Sequence, residues 1–126
     1  MTHSPAAAVA LVLLVLASGC SLFDEECGLL DGLPSVYVRA TDTTTGRPIT
    51  NGIEVVARDG AFSETLVGEG GQYVGVFNRP GTYTVTVSGG GYETASASVV
   101  VGVRECGGET YADEASVEVA LSPAAP

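Results

Sequence analysis

From Ser35 to Ser122 apolar and polar residues alternate with a period of two, interrupted at short intervals by Gly, Pro, Asn or Asp. Successive side chains of a strand point to opposite faces, so a chain patterned this way buries one face and wets the other as β-structure. Seven runs qualify. SVYVRATD (35–42) sets Val36, Val38 and Ala40 against Tyr37, Arg39 and Thr41, and IEVVARD (53–59) aligns Ile53, Val55 and Ala57. Asp59-Gly60 is a strong hairpin signal and returns the chain into AFSETLVG (61–68), where Phe62, Glu64 and Leu66 share a face. QYVGVFN (72–78) and GTYTVTVSG (81–89) follow; the latter alternates Tyr83, Val85 and Val87 with Thr82, Thr84, Thr86 and Ser88. β-Branched threonines suit an exposed pleated surface. YETASASVVVGV (92–103) and ASVEVALS (115–122) complete the set, the last with Val117, Val119 and Leu121 inward. No segment of this region keeps helical periodicity over ten residues. The pattern predicts an all-β domain over residues 35–122, a seven-stranded antiparallel β-sandwich, followed by a short tail at 123–126. A membrane barrel would display its apolar face outward between aromatic girdles, for which 5 Tyr and 3 Phe are too few.

The N-terminus follows another logic. AAAVALVLLVLA (6–17) is twelve apolar residues without a polar face. About 20 are needed to cross a bilayer, whereas 7–15 make the core of a signal peptide. Residues 1–19 are therefore read as a leader. Ala17-Ser18-Gly19-Cys20 directly after it resembles the lipobox of bacterial lipoproteins, with Ala17 where the family usually has Leu and Leu16 one place further back. The resemblance implies cleavage between Gly19 and Cys20, a diacylglyceryl group on the Cys20 thiol and acylation of the new amine. Several acyl chains hold a protein on a membrane where one alone is marginal. Ser21, where retained inner-membrane lipoproteins of enteric-type bacteria carry Asp, points by the same resemblance to the outer membrane. Residues 20–34 then form the anchor and a short linker.

With Cys20 so consumed, Cys27 and Cys106 are left as an even pair in an oxidising compartment, 79 positions apart, and are expected to form a disulfide. Metal ligation is the rival reading, but past the leader there is neither His nor CxxC to complete a zinc set.

Charge narrows the partners. Lys and Arg total 5, all of them Arg, against 15 Asp and Glu, a formal net charge of −10. Phosphate backbones are bound by clustered cations, so no nucleic-acid partner is expected; acidity keeps a secreted domain soluble and apart from its neighbours. The absence of Lys, and of His past the leader, removes Ser-His, Cys-His and Lys-based catalysis. Neither an enzyme nor a cofactor is expected. Glu105, Glu109, Asp113 and Glu114, with Asp24, Glu25 and Glu26 before Cys27, leave a weak calcium site as an alternative.

Three pieces, VRATDTTTGRPI (38–49), VVARDG (55–60) and GGQYVGVFNRPGTYTVTVSGGGY (70–92), together resemble the carboxypeptidase regulatory-like domain, a transthyretin-like (prealbumin-like) β-sandwich. Asp42, Thr45, Gly46 and Pro48 match its first-turn motif; Gly81, Tyr83, Gly91 and Tyr92 match its Gly-x-Tyr strand and closing Gly-Tyr. The resemblance covers about residues 35–121 and supports joining Cys27 to Cys106. An immunoglobulin-like Greek-key sandwich is the alternative arrangement. The resemblance implies folding, adhesion or polysaccharide-type binding. The expectation is a non-enzymatic, lipid-anchored cell-envelope module, structural or interacting with an envelope protein or glycan. Exposed aromatics such as Tyr37 or Tyr73 discriminate: a coplanar exposed group favours sugar binding, and burial favours plain core.

Overall fold

The alternating runs fold into strands that face their apolar sides together in two layers. The structure is a computed structural model describing residues 32–125. Ten strands follow in order: β1 (Pro34–Asp42), β2 (Ile53–Asp59), β3 (Phe62–Thr65), β4 (Val67–Glu69), β5 (Gln72–Phe77), β6 (Gly81–Gly89), β7 (Tyr92–Val101), β8 (Val103–Cys106), β9 (Glu109–Ala112) and β10 (Ala115–Leu121). One sheet runs β10-β1-β5-β4, the facing one β3-β2-β6-β7, and β8-β9 form a separate two-stranded ribbon. The predicted inward residues meet between the sheets: Val36, Val38, Ala40, Val55, Ala57, Val85, Val87, Val119 and Leu121 are buried.

Two expectations are corrected. Among the described residues there are ten strands rather than seven. The segment 61–68 divides at Leu66 into β3 and β4, which belong to different sheets. Leu66 is buried at the corner and its N–H donates to the Val55 carbonyl at 2.8 Å; alternation runs straight through such a corner and leaves it unmarked. The run 92–103 also divides, at Gly102, and the stretch after it folds back over Gly107-Gly108 as the β8-β9 hairpin. The sandwich is also not wholly antiparallel. β10 lies beside β1 in parallel, Val36 opposite Ala115 through Asp42 opposite Leu121. Period-two parity is the same for either direction of a strand, so the pattern did not reveal it.

Side chains and tail residues close the two seams between the sheets. At the β3/β5 seam Glu64 Oε2 accepts the N–H of Val76 at 2.7 Å. Val76 is fully buried with φ 59°, a left-handed conformation that is strained for a β-branched residue, at a cost of about 1–3 kcal/mol. Gly75 makes the approach feasible, because a Cβ there would collide with the Glu64 carboxylate and Leu66 Cδ2. At the other seam the Glu93 N–H donates to Ser122 O at 2.9 Å and the Ala124 N–H to Gly91 O at 2.8 Å. The first residues of the tail thereby join β10 to the start of β7.

Tyr83 locks the corner before β6. Its ring is fully buried, and its hydroxyl donates to the Arg79 carbonyl at 2.6 Å while accepting from Arg79 Nη1 at 2.9 Å. A tyrosine hydroxyl bonded back to the backbone just upstream of its strand is the tyrosine-corner arrangement. Arg79 also pairs with Asp59 at 3.0 Å and lies 4.0 Å above the Phe62 ring.

Candidate functional site

Two places on the sandwich gather the residues that the sequence singles out. The first is the turn after β1. Asp42 Oδ1 accepts the N–H groups of Thr44 at 2.7 Å and Thr45 at 3.2 Å, as a short carboxylate does when it nucleates a turn. Gly46, at φ 73°, returns its N–H to the Asp42 carbonyl at 2.7 Å. The other carboxylate oxygen, Oδ2, accepts the Tyr92 hydroxyl at 2.6 Å. The two motif halves, 50 residues apart in the chain, are thus joined by one hydrogen bond.

That bond has a pH signature. The Tyr92 hydroxyl, followed by the Thr44 amide, holds the Asp42 carboxyl below its ordinary range. The same bond, helped by burial, raises Tyr92. A depressed carboxyl contributes stability above its unfolded value of about 3.9 and loses it as pH falls through the lower folded value; a raised phenol begins to lose its contribution above about 10. Tyr92→Phe is therefore expected to reduce the acid-side fall in the urea midpoint between pH 5 and pH 2. Asp113, also depressed, first by its bond to Arg104, keeps part of that fall in the variant. An unchanged slope in Tyr92→Phe would show that the bond contributes nothing in solution.

The second place is the outer face of the β10-β1-β5-β4 sheet. Alternation puts Tyr37 and Arg39 on this face, and the register supplies their neighbours: Tyr37 lies opposite Val74 on one side and Ser116 on the other, and Arg39 opposite Glu118. Glu69 and Gln72, paired across β4 and β5, extend the face. Two adjoining hollows of about 240 and 280 Å³ lie here, both lined by Tyr37 and Gln72. The first adds Arg39, Ser116 and Glu118; the second adds Leu33, Pro34 and Glu69. Burial raises the Tyr37 phenol, with Glu114 and Glu69 adding to the effect. The ring stays neutral and half-buried. It offers an aromatic surface beside a guanidinium, an amide and carboxylates.

Tyr73 is core instead. It is buried, its hydroxyl donates to the Ile49 carbonyl at 3.1 Å, and burial raises it. Of the two aromatics named as discriminating, one faces each way, so there is no exposed pair. Arg39 was placed beside Tyr37 by parity, but Gln72, Glu69 and Glu118 were missed; no local signal finds them, because strand pairing brings them there.

The acidic residues after β7 do not converge. Asp113 Oδ1 accepts Arg104 Nη2 at 2.6 Å and Nε at 3.1 Å, and Glu109 Oε2 accepts the Tyr111 hydroxyl at 2.6 Å. Glu105 lies within β8 and Glu114 just before β10. Among the described residues no group of three or more His, Cys, Asp or Glu is placed to hold a metal ion. Cys106 ends β8 and is disulfide-bonded. Cys20, Cys27 and the acids Asp24, Glu25 and Glu26 lie outside the described residues.

No protein-family model matches the chain, and no curated protein matches it.

Proposed function

We propose that this protein is a lipid-anchored, non-enzymatic interaction module of a bacterial cell envelope, and that it uses the outer face around Tyr37 to hold a glycan. That reading is carried by one aromatic among polar forks and not by an aromatic platform, which the burial of Tyr73 rules out. Cys20 carries the lipid, Cys27 pairs with Cys106, and the outer membrane is the destination. The domain is a prealbumin-like sandwich of the carboxypeptidase regulatory-like type. The Asp42–Tyr92 bond supports that last reading, since it gives a shared structural purpose to the two motif halves on which the resemblance stands.

The observation that carries the binding reading is the composition of the hollow. A sugar ring has an apolar C–H face and a rim of hydroxyls. Tyr37 offers a ring for the first, and Arg39, Gln72 and Glu118 offer planar forks for the second. One guanidinium among several carboxylates favours neutral or amino sugars over acidic ones. With neutral hexasaccharides of glucose and N-acetylglucosamine as probes, Tyr37→Ala is expected to weaken binding roughly tenfold, about 1.4 kcal/mol and the size of one aromatic contact. Tyr37→Phe should bind nearly as well as the parent. Equal binding by parent and Tyr37→Ala would overturn the glycan reading. The anchor is tested separately by intact mass: a mature start before Cys20, or Cys20 without lipid mass, would sink it.

A further inference from the structure

Among the described residues the exposed large apolar side chains are Leu33, Val67, Phe77, Val100 and Val103. All but Val67 lie toward the same end of the strands, Val100 on the outer face of its sheet opposite Thr82 and Leu33 on the outer face of the other. Phe77 lies opposite Pro34 and so beside Leu33. The corner after Phe77 leads into Gly81 and Thr82, opposite Val101 and Val100. Val103 lies opposite Ala112, whose N–H is held by Asn78 Oδ1 at 2.8 Å. Phe77, Val100 and Val103 are 54%, 66% and 60% exposed; single exposed apolar residues are ordinary, but several at one end mark an interaction surface. Among the described residues the other end, formed by residues 43–47 and 89–91 and the tail, shows none.

We propose that this apolar end faces the membrane, with Leu33, Phe77, Val100 and Val103 resting in the interfacial layer of a zwitterionic bilayer. The inference rests on the lipid anchor at Cys20 and goes beyond it by giving the anchored domain an orientation. Three features point to lipid. First, β1 begins at this end, 14 residues after Cys20, a span of at most about 50 Å when extended; the tether therefore reaches the sandwich at the apolar end. Second, Cys106 closes β8 on the ribbon at the same end, and a bridge to Cys27 would leave only six spacer residues, about 20 Å. Third, the arginines set among the apolar residues are already neutralised, Arg79 by Asp59 at 3.0 Å and Arg104 by Asp113 at 2.6 Å. Paired charges beside exposed Phe, Leu and Val suit uncharged headgroups over anionic ones.

The chain has no Trp, so one added Trp reports its own surroundings. Full-length Phe77→Trp and Thr44→Trp, each isolated in the form the cell processes, are placed in phosphatidylcholine vesicles with and without brominated acyl chains. The Phe77→Trp emission is expected to shift to the blue and fall by roughly half with brominated lipid, because the interfacial layer lies within reach of the acyl chains; Thr44→Trp, at the other end, should be unaffected. Both substitutions replace exposed residues, and far-ultraviolet circular dichroism verifies the fold. Lipid mass on Cys20 with equal quenching at both positions overturns the orientation and leaves the anchor standing. Missing lipid mass overturns both. Shielding of Phe77→Trp from soluble iodide without quenching by brominated lipid assigns this end to contact between copies of the chain and overturns the lipid.

Discussion

Tyr83→Ala is expected to remove about 3–5 kcal/mol of stability, since Tyr83 is the largest fully buried side chain between the sheets. The ring is fully buried beside the β6 valines, so its removal leaves a cavity that closely packed neighbours fill only in part. The same change releases the corner, since the hydroxyl both donates to the Arg79 carbonyl and accepts from its guanidinium. Tyr83→Phe separates the two contributions. It keeps the ring and its edge contact with Phe62, centroids 6.0 Å apart, and should cost about 2 kcal/mol, the net value of the two hydrogen bonds it removes. Urea unfolding at neutral pH measures both. For a domain whose whole stability is about 5–15 kcal/mol, the alanine variant should lose a large share of it and its urea midpoint should fall well below that of the phenylalanine variant. Equal losses would mean that the corner, rather than the packed ring, dominates.

The buried face was legible wherever strands stay regular. Val36, Val38 and Ala40, and Tyr83, Val85 and Val87, lie where parity puts them, with Thr82 and Thr84 outside. Legibility ended where the backbone leaves the regular strand conformation. In β5 parity pairs Val76 with Val74 on the outer face. Val74 does line the outer hollow, but Val76 turns inward through its left-handed conformation and lies in the core. The contact that holds it comes from Glu64, twelve residues earlier, and an alternation pattern has no means of announcing it. The split at Leu66 is hidden for the same reason, because both halves keep the phase of one strand.

The candidate site shows a similar division. Tyr37 and Arg39 share a face because they are two residues apart, which the sequence displays. Glu118 joins them only because β10 lies parallel to β1, and Gln72 only because β5 takes the other side. Both depend on register between distant segments, which composition and spacing do not encode. Asp42 and Tyr92 stood out individually as motif residues, yet their bond is a fact of the fold.

The disulfide should be worth as much as the Tyr83 ring, and it can be tested without reference to lipid. Cys106 is disulfide-bonded at the end of a two-stranded ribbon of which Tyr111 and Ala112 are buried, and such a ribbon is marginal by itself. If its partner is Cys27, the bridge closes a loop of about 79 residues and restricts the unfolded chain by about 4–5 kcal/mol on the chain-entropy account. Cys27→Ser and Cys106→Ser are then expected to lower the urea-derived stability by the same amount, and the double variant by no more than either, since each single change already removes the whole bridge. Reductant should bring the parent down to the same level and leave all three variants unmoved. A loss in Cys106→Ser without a matching loss in Cys27→Ser would assign the bridge to another cysteine. Within one chain the remaining cysteine is Cys20, whose thiol cannot carry both a thioether and a disulfide, so that outcome would also overturn the proposed lipid anchor.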